Sequence, residues 1–130
     1  MMRMVGVISA VSALTSQVAF GDEVRHTAFA SALLGTWAHS KELCEVRDKS
    51  NIVISETKYS DSDMDCRVQV IVETAVPLGS NYSVRALCAN SSDPGKTSIA
   101  NLIIRPQSND RISAGKAFDD LKSYERCPVR

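Results

Sequence analysis

The sequence has few residues that carry chemistry. One tryptophan, three tyrosines and three phenylalanines make up 5% of its 130 residues. Its two histidines, His26 and His39, lie in no H-E-x-x-H pattern, and no serine stands in a G-x-S-x-G motif. With so few candidate bases and nucleophiles, we expect the protein not to be an enzyme and to use no cofactor.

The sequence also lacks an excess of charge of either sign. Lysine and arginine together number 15, and so do aspartate and glutamate. A nucleic-acid-binding domain would show a basic stripe, and a protein held at a membrane surface would show a basic cluster. We therefore expect no nucleic-acid partner and no electrostatic attachment to membranes.

A long apolar run occurs only at the beginning. Arg3 precedes a run from Val5 to Val18 with small polar interruptions, and Ala19-Phe20-Gly21 offers small residues where a signal peptidase reads them. A buried helix or a membrane anchor is the alternative, but the run is shorter than the roughly 20 residues that span a bilayer. We predict a signal peptide over 1–21 and one domain over 22–130. That domain would be periplasmic or secreted, without stable membrane insertion after cleavage.

Four cysteines, Cys44, Cys66, Cys88 and Cys127, fall within the predicted domain. None forms a C-x₂-C pair, so a zinc site is not indicated, and we expect no metal. An even number of cysteines in a small exported domain is typical of disulfides.

Strand patterns favour one disulfide pairing. Residues 66–74 and 81–88 both alternate apolar and polar, with a Pro- and Gly-containing connection between them. A hairpin with Thr74 opposite Ser80 places the two apolar faces and two cysteines together. The predicted opposing pairs are Cys66–Cys88, Val68–Ala86, Val70–Val84 and Val72–Tyr82. Cys44–Cys127 would then join the start of the domain to its end; the main alternative is Cys44–Cys66 with Cys88–Cys127.

The remaining segments predict a mainly β fold. We expect a short helix over 26–34 and one helical turn carrying Cys44. The expected strands start at Gly35 and cover 51–59, 66–74, 81–88, 96–105 and 111–115, with a last segment over 121–127. Strands at this spacing predict an antiparallel meander, and closure into a small barrel removes its unpaired edges.

The acidic stretch YSDSDMDC, residues 59–66, places three aspartates at alternate positions. A calcium loop starting at Asp61 needs glycine at its sixth position and glutamate at its twelfth, where this chain has Cys66 and Val72. We therefore interpret the stretch as an acidic turn between two strands.

Gly35-Thr36-Trp37 on a first strand resembles the G-x-W opening of lipocalins and avidins. Together with the four cysteines and the ending YERCP (124–128), it is similar to small exported proteins of Gram-negative bacteria with lipocalin-like half-barrels. The resemblance implies a fold and a periplasmic location, and no activity. It also implies that Arg126 packs over Trp37 in a cation–π contact. From the residues themselves, Trp37 and Tyr82 are expected in the core, where they could line a ligand cavity.

Bacterial metalloprotease inhibitors of lipocalin-like fold provide a second resemblance, over Gly35, Trp37, Cys44 and Cys66. It implies inhibition through a free N-terminal tail, here residues 22–25. This chain departs from those inhibitors in having two further cysteines and a short spacing from Trp37 to Cys44.

The sequence thus predicts a non-enzymatic binding or interaction domain whose partner is a protein or a small ligand. An inhibitor of a protease or lysozyme and a carrier of small apolar ligands are the alternatives. The two kinds of partner differ in what they require of the barrel, because a carrier needs an open interior.

Overall fold

The computed structural model describes residues 23–45, 50–77 and 79–129. Short helical segments are few among them: α1 at Lys41–Glu45 and two 3₁₀ turns at Ser31–Leu33 and Phe118–Asp120. The strands are β1 Glu23–His26, β2 Gly35–Ala38, β3 Ile52–Ile54, β4 Lys58–Ser60, β5 Met64–Val76, β6 Gly79–Asn90, β7 Asp93–Ser108, β8 Arg111–Gly115 and β9 Lys122–Arg126.

Eight of the strands form a closed antiparallel barrel. From β2 to β9 each strand pairs with the next one in the chain, and β9 pairs back with β2 through Trp37–Arg126 and Ala38–Glu125. β1 stays outside this ring and pairs with the second half of β5, past the point where β4 ends. The predicted mainly β fold, the meander and its closure are confirmed.

The predicted hairpin register holds at the cysteine end and fails at the turn end. Cys66 faces Cys88 and Val68 faces Ala86, as predicted. A bulge follows at Gln69, where β5 has one residue more than its partner, so that Ile71 instead of Val70 opposes Val84. The predicted pairs Val70–Val84 and Val72–Tyr82 are therefore wrong, and Glu73 lies opposite Tyr82.

Other predicted segments also differ from the structure, and β5 and β6 are each longer than predicted. The helix expected over 26–34 is reduced to the 3₁₀ turn Ser31–Leu33, and His26 belongs to β1. The strand expected over 51–59 is two strands, because Ser55, Glu56 and Thr57 turn the chain between β3 and β4. β7 extends well beyond the predicted 96–105 in both directions.

Side chains fill the barrel interior. A ligand-sized cavity would leave accessible surface on the side chains that line it. The inward-facing residues have almost none. The largest fully buried side chains of this core are Leu33, Trp37, Ile52, Ile54, Cys66, Ile71, Val84, Ile104 and Ile112. The core is continuous and lies inside the closed ring of strands.

Both predicted disulfides are confirmed. Cys66–Cys88 joins opposed residues of β5 and β6 with their Cα atoms 4.0 Å apart. Cys44–Cys127 joins α1 to the chain after β9 across 83 residues, with a Cα separation of 5.5 Å. No helix within the described ranges is long and apolar enough to cross a membrane. The predicted signal peptide lies outside the described residues.

Candidate functional site

One end of the barrel is closed by the chain that leads into β2. Phe29 and Leu33 of this segment belong to the core, and the Phe29 amide donates to the Glu56 carbonyl in the β3–β4 turn. Below them lies Trp37, whose indole N–H donates to the Leu33 carbonyl at 3.0 Å. The indole is fully buried, so Trp37 plugs this end of the core.

Arg126, on the last strand, holds this segment in place through contacts with Trp37 and with backbone carbonyls. Its guanidinium carbon lies 4.2 Å from the centroid of the Trp37 ring, which is the cation–π contact that the resemblance implies. Nη1 donates to the Leu34 carbonyl at 2.6 Å, Nη2 donates to the Ala32 carbonyl, and Nε donates to the Asn109 carbonyl at 3.1 Å. One side chain thus ties the first barrel strand, the β7–β8 turn and β9 together.

Gly35 is required beside this arginine for two reasons. Its φ of +133° lies in a region that side-chain-bearing residues rarely adopt. A Cβ atom there would also approach Arg126 Nη1 to 3.3 Å. The Gly-x-Trp pattern and Arg126 therefore act as one structural unit, in which the glycine makes room for the guanidinium.

A second group of polar aromatic side chains comprises His39, Tyr59 and Tyr124. The His39 ring stacks on Tyr124 with 4.4 Å between centroids, and its Nδ1 lies 3.2 Å from the Ser123 carbonyl oxygen. Burial, followed by the nearby Asp61 and Tyr124, raises the pKa of Tyr59. Burial likewise raises the pKa of Tyr124. Both phenols therefore stay protonated over the physiological range.

Tyr82 lies in a third place, near the β5–β6 turn, because the bulge brings Glu73 opposite it. The Glu73 carboxylate accepts hydrogen bonds from Ser80 Oγ at 2.7 Å, His26 Nε2 at 2.9 Å and the Tyr82 hydroxyl at 3.3 Å. These bonds, chiefly the one from Ser80, lower the pKa of Glu73. Ser80 and His26 each bond to the Glu73 carboxylate and not to one another. The histidine therefore does not act as a base on the serine hydroxyl, and the cluster is a structural network.

The acidic stretch forms a turn, as predicted. Asp61 Oδ1 accepts from the backbone amides of Asp63 at 2.8 Å and Met64 at 3.1 Å. The side chain thus mimics a backbone turn between β4 and β5.

A groove lies on the outer wall of the barrel, beside β2, β3 and β4. It has a volume of about 830 Å³, and α1 and the chain after β9 form its sides. Val53 provides an apolar patch with 46% of its surface exposed. The groove is also lined by Lys41, Cys44, Asn51, Asp61, Cys127 and Pro128.

Asn51 lies in the wall of this outer groove and contacts α1. Its Nδ2 donates to the Leu43 carbonyl at 3.1 Å, which holds α1 against the start of β3. Its Oδ1 is buried and has no hydrogen-bond partner among the described residues. Because this oxygen has almost no accessible surface, the role of Asn51 that the structure shows is to hold α1 in place.

The structure brings the predicted site residues together only in part. Trp37 and Arg126 are in contact, whereas Tyr82 belongs to the separate Glu73 network. Neither Trp37 nor Tyr82 lines any of the described pockets. Three other predicted site residues, Arg126, Cys44 and Cys127, do line the outer groove. The sequence did not predict the groove itself, because α1 and the chain after β9 meet beside β3 only in the folded barrel.

The fold and its surface define a disulfide-linked, eight-stranded up-and-down barrel with a filled interior and a groove on its outside. Comparison of the chain with protein-family models, with curated proteins and with solved structures finds no match.

Proposed function

We propose that the protein is an exported, non-enzymatic barrel that binds another protein through its outer surface. The observation that carries this proposal is the filled interior. Trp37, Ile104 and Ala86 have no exposed surface at all, so the centre of the barrel offers no volume to a small ligand. Recognition is then left to the outside of the wall.

A lipocalin-like assignment and a periplasmic location form part of the proposal. The up-and-down strand order, the Gly35-Thr36-Trp37 opening and the stacking of Arg126 on Trp37 support the assignment. Two disulfides favour an oxidising compartment, of which the periplasm is the one implied by the sequence resemblance.

The outer groove is the best candidate for the contact surface. It combines an exposed apolar side chain, Val53, with charged side chains of both signs, Lys41 and Asp61, around it. An apolar centre with a polar rim is the usual arrangement of protein–protein contact surfaces. The Cys44–Cys127 disulfide holds two sides of the groove rigidly, so binding there would cost little ordering of the chain.

A photo-crosslinking amino acid at position 53 tests the surface. We expect it to capture one protein from the cell envelope, and we expect Val53→Glu to prevent binding of that protein. Val24 is the matched control, because it is equally exposed, at 47%, and lies on β1. Equal capture from positions 53 and 24, or saturable binding of a fluorescent fatty acid by the protein, would contradict the proposal.

The identity of the captured protein decides between a general binding domain and an inhibitor. A protease or lysozyme that loses activity in the complex would make the protein an inhibitor. Inhibition through a free tail is not favoured, since Glu23, Val24, Arg25 and His26 are paired with β5. Asp22 lies outside the described residues.

A further inference from the structure

The outer side of the sheet around β5, β6 and β7 carries a group of positively charged side chains. Residues that alternate with the buried ones point outward, so the strand register shows which of them lie side by side. Three neighbouring rows of such residues cross the strands. The first row is Lys58, Arg67, Leu87 and Ile99; the second is Val70, Arg85 and Asn101; the third is Arg25, Val72, Ser83 and Ile103.

The four cations of these rows are exposed and unpaired. Arg25, Lys58, Arg67 and Arg85 all lie at the surface. Within the part of the chain that the structure describes, none of their side chains makes a hydrogen bond or an ion pair. Their positive charges are therefore available to a partner.

Acidic side chains border the three rows without entering them. Glu23 lies one row beyond Arg25, and Asp65 lies one row beyond Arg67. The equal numbers of acidic and basic residues in the whole chain thus conceal a local excess of positive charge on this wall.

Two exposed aliphatic side chains lie beside these cations. Leu87 is 40% exposed and stands between Arg67 on β5 and Ile99 on β7, which is 43% exposed. Arg85 points to the same side of β6 two residues before Leu87. The name basic face is used below for Arg25, Lys58, Arg67, Arg85, Leu87 and Ile99.

We propose that the basic face binds another protein through an acidic surface that projects an apolar side chain. Charge complementarity selects this partner, because unpaired guanidinium groups bind carboxylates through two parallel hydrogen bonds. Leu87 and Ile99 give the apolar side chain of the partner a dry contact. Three of the four cations are arginines, the basic residue that is enriched at protein interfaces, where lysine is depleted.

A lipid surface or a nucleic acid fits the basic face less well. Leucine and isoleucine are shorter than the arginines and lysine around them, so the cations would meet lipid headgroups before the aliphatic groups reached the acyl chains. The three rows contain no aromatic side chain on which bases would stack. A protein surface supplies carboxylates and an apolar side chain at different heights.

The proposal goes beyond the binding function proposed above, because it concerns a different surface. The outer groove lies beside β2, β3 and β4, and no residue of the basic face lines it. The two surfaces adjoin at β4 but share no residue, so either one can fail without affecting the other.

Titration of two synthetic peptides into the protein with both disulfides formed tests the basic face. One peptide has two leucines between two runs of four glutamates, and the other has serines in place of the leucines. At low ionic strength, where exposed charges are little screened, we expect the leucine peptide to bind. Arg67→Gln combined with Arg85→Gln should weaken its binding by about fivefold or more.

Arg111→Gln combined with Lys122→Gln is the matched control, because it removes the same charge from β8 and β9. Leu87→Ser should weaken binding of the leucine peptide and leave that of the serine peptide unchanged. Failure of the leucine peptide to bind, or equal weakening in the control pair, would overturn the proposal.

A charge reversal separates loss of recognition from misfolding. Arg67→Glu combined with Arg85→Glu is expected to release the leucine peptide and to bind a version with lysines in place of the glutamates. Vesicles that contain phosphatidylglycerol are the second probe. Stronger binding to these vesicles than to the leucine peptide, lost in the same arginine variants, would show that the basic face takes a membrane surface and not a protein.

Discussion

At the scale of single residues, Arg126 has the largest structural role. Its guanidinium covers the only tryptophan and donates to three backbone carbonyls from separate parts of the chain. A planar group with several donors fits this arrangement, whereas the ammonium group of lysine does not.

We expect Arg126→Lys to lower the free energy of unfolding by about 2–3 kcal/mol, because carbonyls near the barrel end lose charged donors. Urea unfolding followed by the fluorescence of Trp37 measures the loss. Arg111→Lys is the matched control. Arg111 pairs with Glu125 at 3.0 Å but is more than half exposed, so its replacement should cost less than about 1 kcal/mol. Equal losses in the two variants would mean that Arg126 acts only as a surface charge.

At the scale of elements, the bulge at Gln69 decides which residues of β5 face the core. The alternation of residues 66–74 predicts Val70 and Val72 on the inner face, and the same pattern continues regularly in β6. A bulge adds a residue to one strand without changing its composition, so the periodicity of β5 does not reveal it. The pairing of Glu73 with Tyr82, and with it the network that holds β1, follows from this bulge.

The Glu73 network makes the attachment of β1 dependent on pH. Because hydrogen bonds lower the pKa of Glu73 in the folded state, its carboxylate stabilises the fold fully above the ordinary value of 4.5. This contribution is lost as the pH falls through the lowered pKa. We expect the difference in unfolding free energy between wild type and Glu73→Gln to be largest near neutral pH and to shrink below about pH 4.5.

Ser80→Ala is the companion variant for this measurement. Ser80 is the first cause of the lowered pKa of Glu73, so its loss should flatten the dependence of stability on pH while His26 still bonds the carboxylate. A stability difference that stays constant from neutral to acidic pH would contradict a role for the ionised carboxylate.

At the scale of the whole molecule, the two disulfides act over different distances. Cys66–Cys88 links strands that are already paired, whereas Cys44–Cys127 joins α1 to the end of the chain and closes a loop of 83 residues. A cross-link stabilises mainly by restricting the unfolded chain, and more so for a longer loop.

We expect replacement of Cys44 and Cys127 by alanine to lower the unfolding free energy by about 4–5 kcal/mol, against about 3 kcal/mol for the loop closed by Cys66–Cys88. Replacing Cys66 and Cys88 also removes core packing, which adds to the loss of unfolding free energy in that variant. The slope of unfolding free energy against denaturant concentration is therefore the clearer measurement. Releasing the longer loop lets the unfolded chain expand more, and the slope should rise more. Equal slopes for the two double variants would contradict this account.

The sequence by itself determined the strand alternation and the Gly-x-Trp opening of the first barrel strand, and it favoured the Cys66–Cys88 pairing. Each of these follows from spacing within a short segment or from the match of two neighbouring segments, and Cys44–Cys127 was then the remaining pair. Only the tertiary structure decided between the possible disulfide pairings and determined the bulge and the outer groove. These depend on which segments meet side by side, and a segment's neighbours are known only once the barrel has closed.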